Sequence, residues 1–198
     1  MDEHDTGEMP TPKLTEDEYR RTVESLSGVR LMEVTYYPFA GGDDGNKIDD
    51  WDFGAWHEPT MGVGLRTEDG TRYSAVWDSS FGDYGLELLR EPMSSQLLRI
   101  GEPGSPAEVA VTDHPAWSAF IGVPLVGAEI LWSDSGQGLR VPTAVELRAP
   151  DSTAWLIAGR SAQWPPDGRF FLGTDDVMTV FSHEFASTIG LFTATEQA

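Results

Sequence analysis

Apolar and polar residues alternate most cleanly between Val63 and Trp77. Val63 and Leu65 alternate with Gly64 and Arg66 up to the turn Glu68-Asp69-Gly70, and beyond it Tyr73, Ala75 and Trp77 recur at every second position. A period of two predicts a hairpin with one buried face. A three-residue turn with Gly70 left-handed pairs Leu65 with Tyr73 and collects Val63, Leu65, Tyr73, Ala75 and Trp77 on that face. A two-residue Asp69-Gly70 turn would pair Leu65 with Ser74 and scatter the same side chains, so the longer turn is expected.

The flanking segments switch period. Tyr19, Val23 and Leu26 recur at helical spacing behind Thr15 and Glu18, a capping-box pair, and Gly28 closes the helix. Val29 to Tyr37 predicts a strand stopped by Pro38, Gly85 to Leu89 another, and Pro92 to Leu98 a short helix. Residues 99–111, containing Gly101-Glu-Pro-Gly-Ser-Pro106, predict a linker.

Past the linker the order starts again. Asp113 to Phe120 predicts a helix, and Gly122-Val123-Pro-Leu125 echoes Gly28-Val29-Arg-Leu31. Ala128 to Trp132 predicts a strand. Val145, Leu147, Arg148, Asp151, Thr153 and Trp155 echo Val63, Leu65, Arg66, Asp69, Thr71 and Tyr73 at a constant offset. Asp176 to Phe181 predicts the last strand and His183 to Ile189 the last helix. The expected fold is α+β, a mostly antiparallel sheet with short flanking helices, in two similar αβ halves from an internal duplication. The halves are 14–98 and 112–193, packing as one domain behind a disordered acidic tail at 1–13.

Composition adds limits. Seven Trp and nine Phe among 198 residues supply enough apolar area for a core. Cysteine is absent, which removes disulfides, thiol nucleophiles and Cys-ligated zinc and agrees with a cytoplasmic setting. The start of the chain lacks the basic and apolar runs of a signal peptide, and no apolar run is long enough for a membrane helix. The missing apolar run argues against a membrane as partner, and a net charge of -20 argues against nucleic acid. It serves solubility, and it would draw in a basic protein partner.

Candidate chemistry concentrates where the halves differ. The first half carries extra residues in a loop at 38–61, which combines Asp43, Asp44, Asp49, Asp50 and Asp52 with Trp51, Phe53 and Trp56. A loop this long without structure of its own is expected to be functional or flexible. The leading reading is a non-enzymatic protein-binding module, of inhibitor or immunity type, in which these eight residues hold a basic partner. The aromatics supply contact area and the carboxylates supply steering. Packing of the aromatics onto the core is the plainer role for them. The competing reading is a metal-dependent hydrolase using Asp49, Asp50, Asp52, His57 and Glu58, and a third is a structural accessory domain with no site. The loop lacks EF-hand spacing, since Asp49 stands where the central glycine belongs. His183-Glu184 lacks the second histidine of a zinc-protease helix, and position 187 is serine. His114 stands where a helix cap is expected, and each histidine taken singly reads as structural. No catalytic residue and no cofactor is assigned from the sequence.

Overall fold

The computed structural model describes residues 14–41, 47–97, 99–102, 105–134 and 138–192. The tail at 1–13, and Asp43 and Asp44, lie outside the described residues. In chain order the elements are α1 (Glu16–Glu24), β1 (Leu31–Tyr36), β2 (Ala40–Gly41), β3 (Lys47–Ile48), β4 (Trp56–Thr60), β5 (Val63–Thr67), β6 (Arg72–Asp78) and β7 (Gly85–Leu89). Then follow β8 (Val109–Ala110), β9 (Gly127–Asp134), β10 (Arg140–Ala149), β11 (Ser152–Ser161), β12 (Phe170–Val180) and α2 (His183–Thr188).

Two five-stranded antiparallel sheets form, in the orders β7-β6-β5-β1-β8 and β4-β12-β11-β10-β9, beside a two-stranded ribbon of β2 and β3. The main core draws on both sheets and α1. It joins Tyr19, Val34, Leu65, Tyr73 and Leu86 to Trp117, Val145, Leu147, Leu156 and Val177. The second sheet's outer face is covered by α2 through Ala144, Trp155, Ile157, Met178, Val180 and Ala186. None of the described helices is long and apolar enough to cross a membrane.

The strongest local signals are realised. Thr15 caps α1 with the full capping box, its hydroxyl accepting from the Glu18 N–H while the Glu18 carboxylate accepts from the Thr15 N–H. Leu65 pairs with Tyr73, and Gly70 turns the hairpin at φ 84°. The short helices are weaker than expected. Among the described residues, the first of these segments makes a 3-10 turn at Met93–Ser95, and the 113–120 segment makes one at Pro115–Trp117. Neither segment is long enough to offset the cost of helix nucleation by itself.

Two larger corrections concern segments expected to lack strands. The 38–61 loop contains β4, which pairs with β12 as the edge of the second sheet. The linker contains β8, which pairs with β1 as the edge of the first. The first sheet thus takes its edge strand from the 99–111 segment, and the second takes its edge strand from the 38–61 segment. The two meanders β1-β5-β6-β7 and β9-β10-β11-β12 share their order, but the residue echo fails at the second hairpin. Ala149 pairs with Ser152 across a two-residue turn, whereas the Thr67 N–H bonds the Thr71 carbonyl across three residues. One residue fewer flips side-chain parity. Tyr73 therefore enters the main core, and Trp155 enters the cluster under α2.

Candidate metal centre

The edge strands bring together side chains that are far apart in sequence. On β4, buried and part-exposed positions alternate through Trp56, His57, Glu58, Pro59 and Thr60, with His57 and Pro59 inward. His57 is fully buried and lies opposite Thr179 of β12. Pairing of β8 with the end of β1 carries the following residues over Tyr36, where His114 caps the 3-10 turn by accepting the Ala116 N–H at Nδ1, 3.3 Å away. Asp52 reaches the same point through a bridge to His57, with its Oδ1 accepting the Gly54 N–H at 2.9 Å.

The resulting cluster is Asp52, His57 and His114, with one ligand atom from each lying within 4.8 Å of the others. His57 Nε2 is 3.5 Å from Asp52 Oδ1, and His114 Nε2 is 3.2 Å from Asp52 Oδ2. Behind His57, Nδ1 is 2.8 Å from the Tyr36 hydroxyl, which accepts from Trp117 Nε1 at 2.8 Å. Trp51 stands edge-on to Tyr36, His57 and His114, and Phe181 closes another side of the His57 ring. His57 Nε2 is buried and makes no hydrogen bond. Buried polar atoms are rarely left so, and this one faces a carboxylate and a second imidazole.

The electrostatics suit ligation. Burial holds the His57 imidazole down at about 4, His114 adds to the effect, and the Asp52 carboxylate opposes it. His57 is therefore neutral near pH 7. The Gly54 N–H, with help from His114 and His57, holds the Asp52 carboxyl below its ordinary range. Burial raises the Tyr36 phenol, which keeps its proton. A neutral His57 imidazole and the Asp52 carboxylate are thus available for ligation. Asp52 is 44% exposed and His114 25%, so the cluster is open to solvent on one side and closed by aromatics on the other.

The remaining acidic-loop residues go elsewhere. Glu58, next to His57 on the strand, points to the opposite face. There its carboxylate accepts from Ser161 N, Ser161 Oγ and Trp56 Nε1 at 2.7, 3.0 and 3.1 Å. Asp49, Asp50 and Glu58 line a cleft of about 460 Å³ with Lys47, Arg160, Trp164 and Asp176. Of the loop aromatics, Trp51 packs on the main core, and Trp56 stacks on Phe185 and on Phe53. All three rings are engaged within the chain. Comparison with protein-family models, curated proteins and solved structures found no match to this chain. The site therefore rests on its own geometry.

Sequence reasoning placed Asp52 and His57 together but omitted His114, Tyr36 and Trp117. His114 lies in a segment whose approach depends on the two-residue strand β8, and no periodic signal marks so short a strand.

The cleft carries its own test. Burial pushes the Asp176 carboxyl up to about 6, Arg160 at 3.5 Å opposes this, and Asp175 and Glu58 add to it. A carboxyl raised in the folded state binds more protons there than in the unfolded chain. It destabilises the fold above pH 6, and the effect disappears below the unfolded value near 3.8. Asp176→Asn is expected to stabilise the protein by about 1–2 kcal/mol at pH 7.5 and by nothing near pH 3.5. Urea melts at the two pH values check this, and equal effects at both would contradict it.

Proposed function

We propose that the protein binds one divalent transition-metal ion through Asp52, His57 and His114 and uses it in hydrolysis. The observation that carries this reading is the buried, unpartnered Nε2 of His57 facing Asp52 and His114. Metal–ligand bonds of about 2.0–2.1 Å in a tetrahedral site imply ligand atoms about 3.3 Å apart. The imidazoles lie 3.5 Å from Asp52 Oδ1 and 3.2 Å from Asp52 Oδ2, near that edge length, and one ligand atom from each of the three residues lies within 4.8 Å of the others, so a small closure of the cluster would complete the site. Imidazole and carboxylate donors favour zinc or a neighbouring first-row ion over calcium. Three protein ligands leave a coordination position for water, and a metal so held lowers the pKa of that water towards neutrality. Binding has one local cost. A metal on His114 Nε2 moves that ring's proton to Nδ1 and gives up the cap on Ala116, a loss of about 1 kcal/mol.

Thermal melting tests the binding half. Zinc at a hundredfold excess over its Kd should stabilise the folded state by about 2.7 kcal/mol. His114→Ala, at a part-exposed position, should abolish that gain while the protein still folds. A wild-type melting temperature unmoved by Zn²⁺, Mn²⁺ and Co²⁺ at millimolar concentration would remove the reading. Hydrolysis of ester and phosphoester panels with and without chelator tests the other half.

A second reading keeps the basic protein partner. The exposed carboxylates of Asp49 and Asp50 beside the 60%-exposed Trp164 support it, because a cationic side chain is held by carboxylate and indole together. Charge reversal at Asp49 and Asp50 would weaken such a complex in a salt-dependent way. In either reading the shared order of the two meanders fits an ancient duplication whose first copy acquired the 38–61 insertion.

A further inference from the structure

Both hydrogen bonds of the His114 ring fix the same arrangement of its protons. Nδ1 accepts the Ala116 N–H at 3.3 Å, so no proton stands on that nitrogen. The ring proton is then on Nε2, which lies 3.2 Å from Asp52 Oδ2. A carboxylate only accepts, so this second contact also requires the proton on Nε2. Two separate bonds thus select one tautomer, and together they tie Asp52 through the imidazole to the turn at Pro115–Trp117.

That tautomer is closed to a metal ion. The Nε2 facing Asp52 holds a proton where ligation needs a lone pair, and the Nδ1 lone pair is engaged by Ala116. Ligation through either nitrogen therefore breaks the Ala116 bond. Through Nδ1 the metal takes the accepting lone pair. Through Nε2 the proton moves to Nδ1, and two N–H groups then face each other. His57 differs, because its Nε2 has no hydrogen bond to give up.

We infer that His114 latches the empty site by linking Asp52 to the Ala116 amide, and that a metal ion opens this latch when it binds. Release of the latch deepens the metal reading and rests on it. The ring keeps one proton throughout: it leaves Nε2, appears on Nδ1, and the vacated Nε2 lone pair goes to the metal. The Ala116 N–H turns to solvent. Trp117 is fully buried and its Nε1 donates to Tyr36 at 2.8 Å, which holds the end of the turn in place. The His114 side chain is 25% exposed, so the movement falls to this ring and the Ala116 amide. The ion meets Asp52 and His57 first, and His114 joins last.

The test uses the full ¹⁵N-labelled chain, first stripped with chelator and then saturated with Zn²⁺. Long-range ¹H–¹⁵N spectra distinguish the two tautomers of a histidine ring. Metal-free wild type is expected to show His114 protonated on Nε2. Zinc should move that proton to Nδ1 and speed hydrogen exchange of the Ala116 amide about fivefold, the equivalent of one lost cap. In His114→Asn the side chain can still cap Ala116, since asparagine is a favoured cap, but it offers no imidazole. That variant should fold, and zinc should leave its Ala116 exchange unchanged. An Nδ1–H tautomer in metal-free wild type overturns the latch. Zinc bound to wild type with unaltered Ala116 exchange overturns its release. An Nε2–H tautomer in a protein that takes up no zinc upholds the latch and overturns the metal reading together with the release.

Discussion

Replacing Trp117 by alanine is expected to cost about 4–5 kcal/mol, the largest effect foreseen for any single substitution here. Trp117 is fully buried in a short turn, with ring contacts to Phe120 and Phe181 and with its Nε1 donating to Tyr36. The turn itself has little intrinsic stability, so the indole pins this segment to the core. Since whole domains are stable by only about 5–15 kcal/mol, the variant should lie near the edge of folding at room temperature. Trp117→Phe keeps most of the apolar ring and loses the N–H, and should cost about 1–2 kcal/mol. Urea denaturation reads both through the midpoint at unchanged slope. A loss below 1.5 kcal/mol for the alanine variant would mean that the segment carrying His114 is not anchored as described.

Acid should weaken the fold through His57. Its folded value near 4 lies below the ordinary 6.5, so between those values the unfolded chain binds a proton that the folded chain refuses. Stability must therefore fall as the pH drops from 6.5 towards 4, by roughly 2–3 kcal/mol at pH 4.5 for this fully buried group. The depressed Asp52 carboxyl adds to the loss at still lower pH, where it too must be protonated. Asp176 acts the other way, since its raised carboxyl gains stability as the pH falls through 6. Measurement in the Asp176→Asn background, with chelator present, removes that opposing contribution. Stability that stayed flat between pH 7 and 4.5 in that variant would contradict the buried neutral imidazole.

These effects also show where the sequence was informative. The capping box of α1, the Gly70 hairpin with its Leu65–Tyr73 register, and the α2 helix follow from local chemistry that acts within a few residues. Antiparallel sheets with short flanking helices follow from the same signals. β4 was hidden because its inward positions are His57 and Pro59, while Trp56 faces the outer layer. The usual alternation is inverted there because the buried face carries a polar group. β8 has only two residues, and its existence depends on β1 having a free edge. Without β8, nothing in the chain indicates that His114 meets His57. The hydrolase reading accordingly assembled Asp49, Asp50, Asp52, His57 and Glu58 from one loop. The structure divides that set, with Asp52 and His57 in the cluster and Asp49, Asp50 and Glu58 in the cleft. Adjacent residues on a strand face opposite ways, which separates His57 from Glu58.

Calorimetric titration of Zn²⁺ into chelator-stripped wild type and His114→Ala at pH 7.5 tests the metal centre most directly. One ion per chain in wild type, and no binding in a folded His114→Ala, is the predicted result. Wild-type protein that takes up no zinc, or a variant that binds it equally well, would contradict the assignment of Asp52, His57 and His114 as a metal centre.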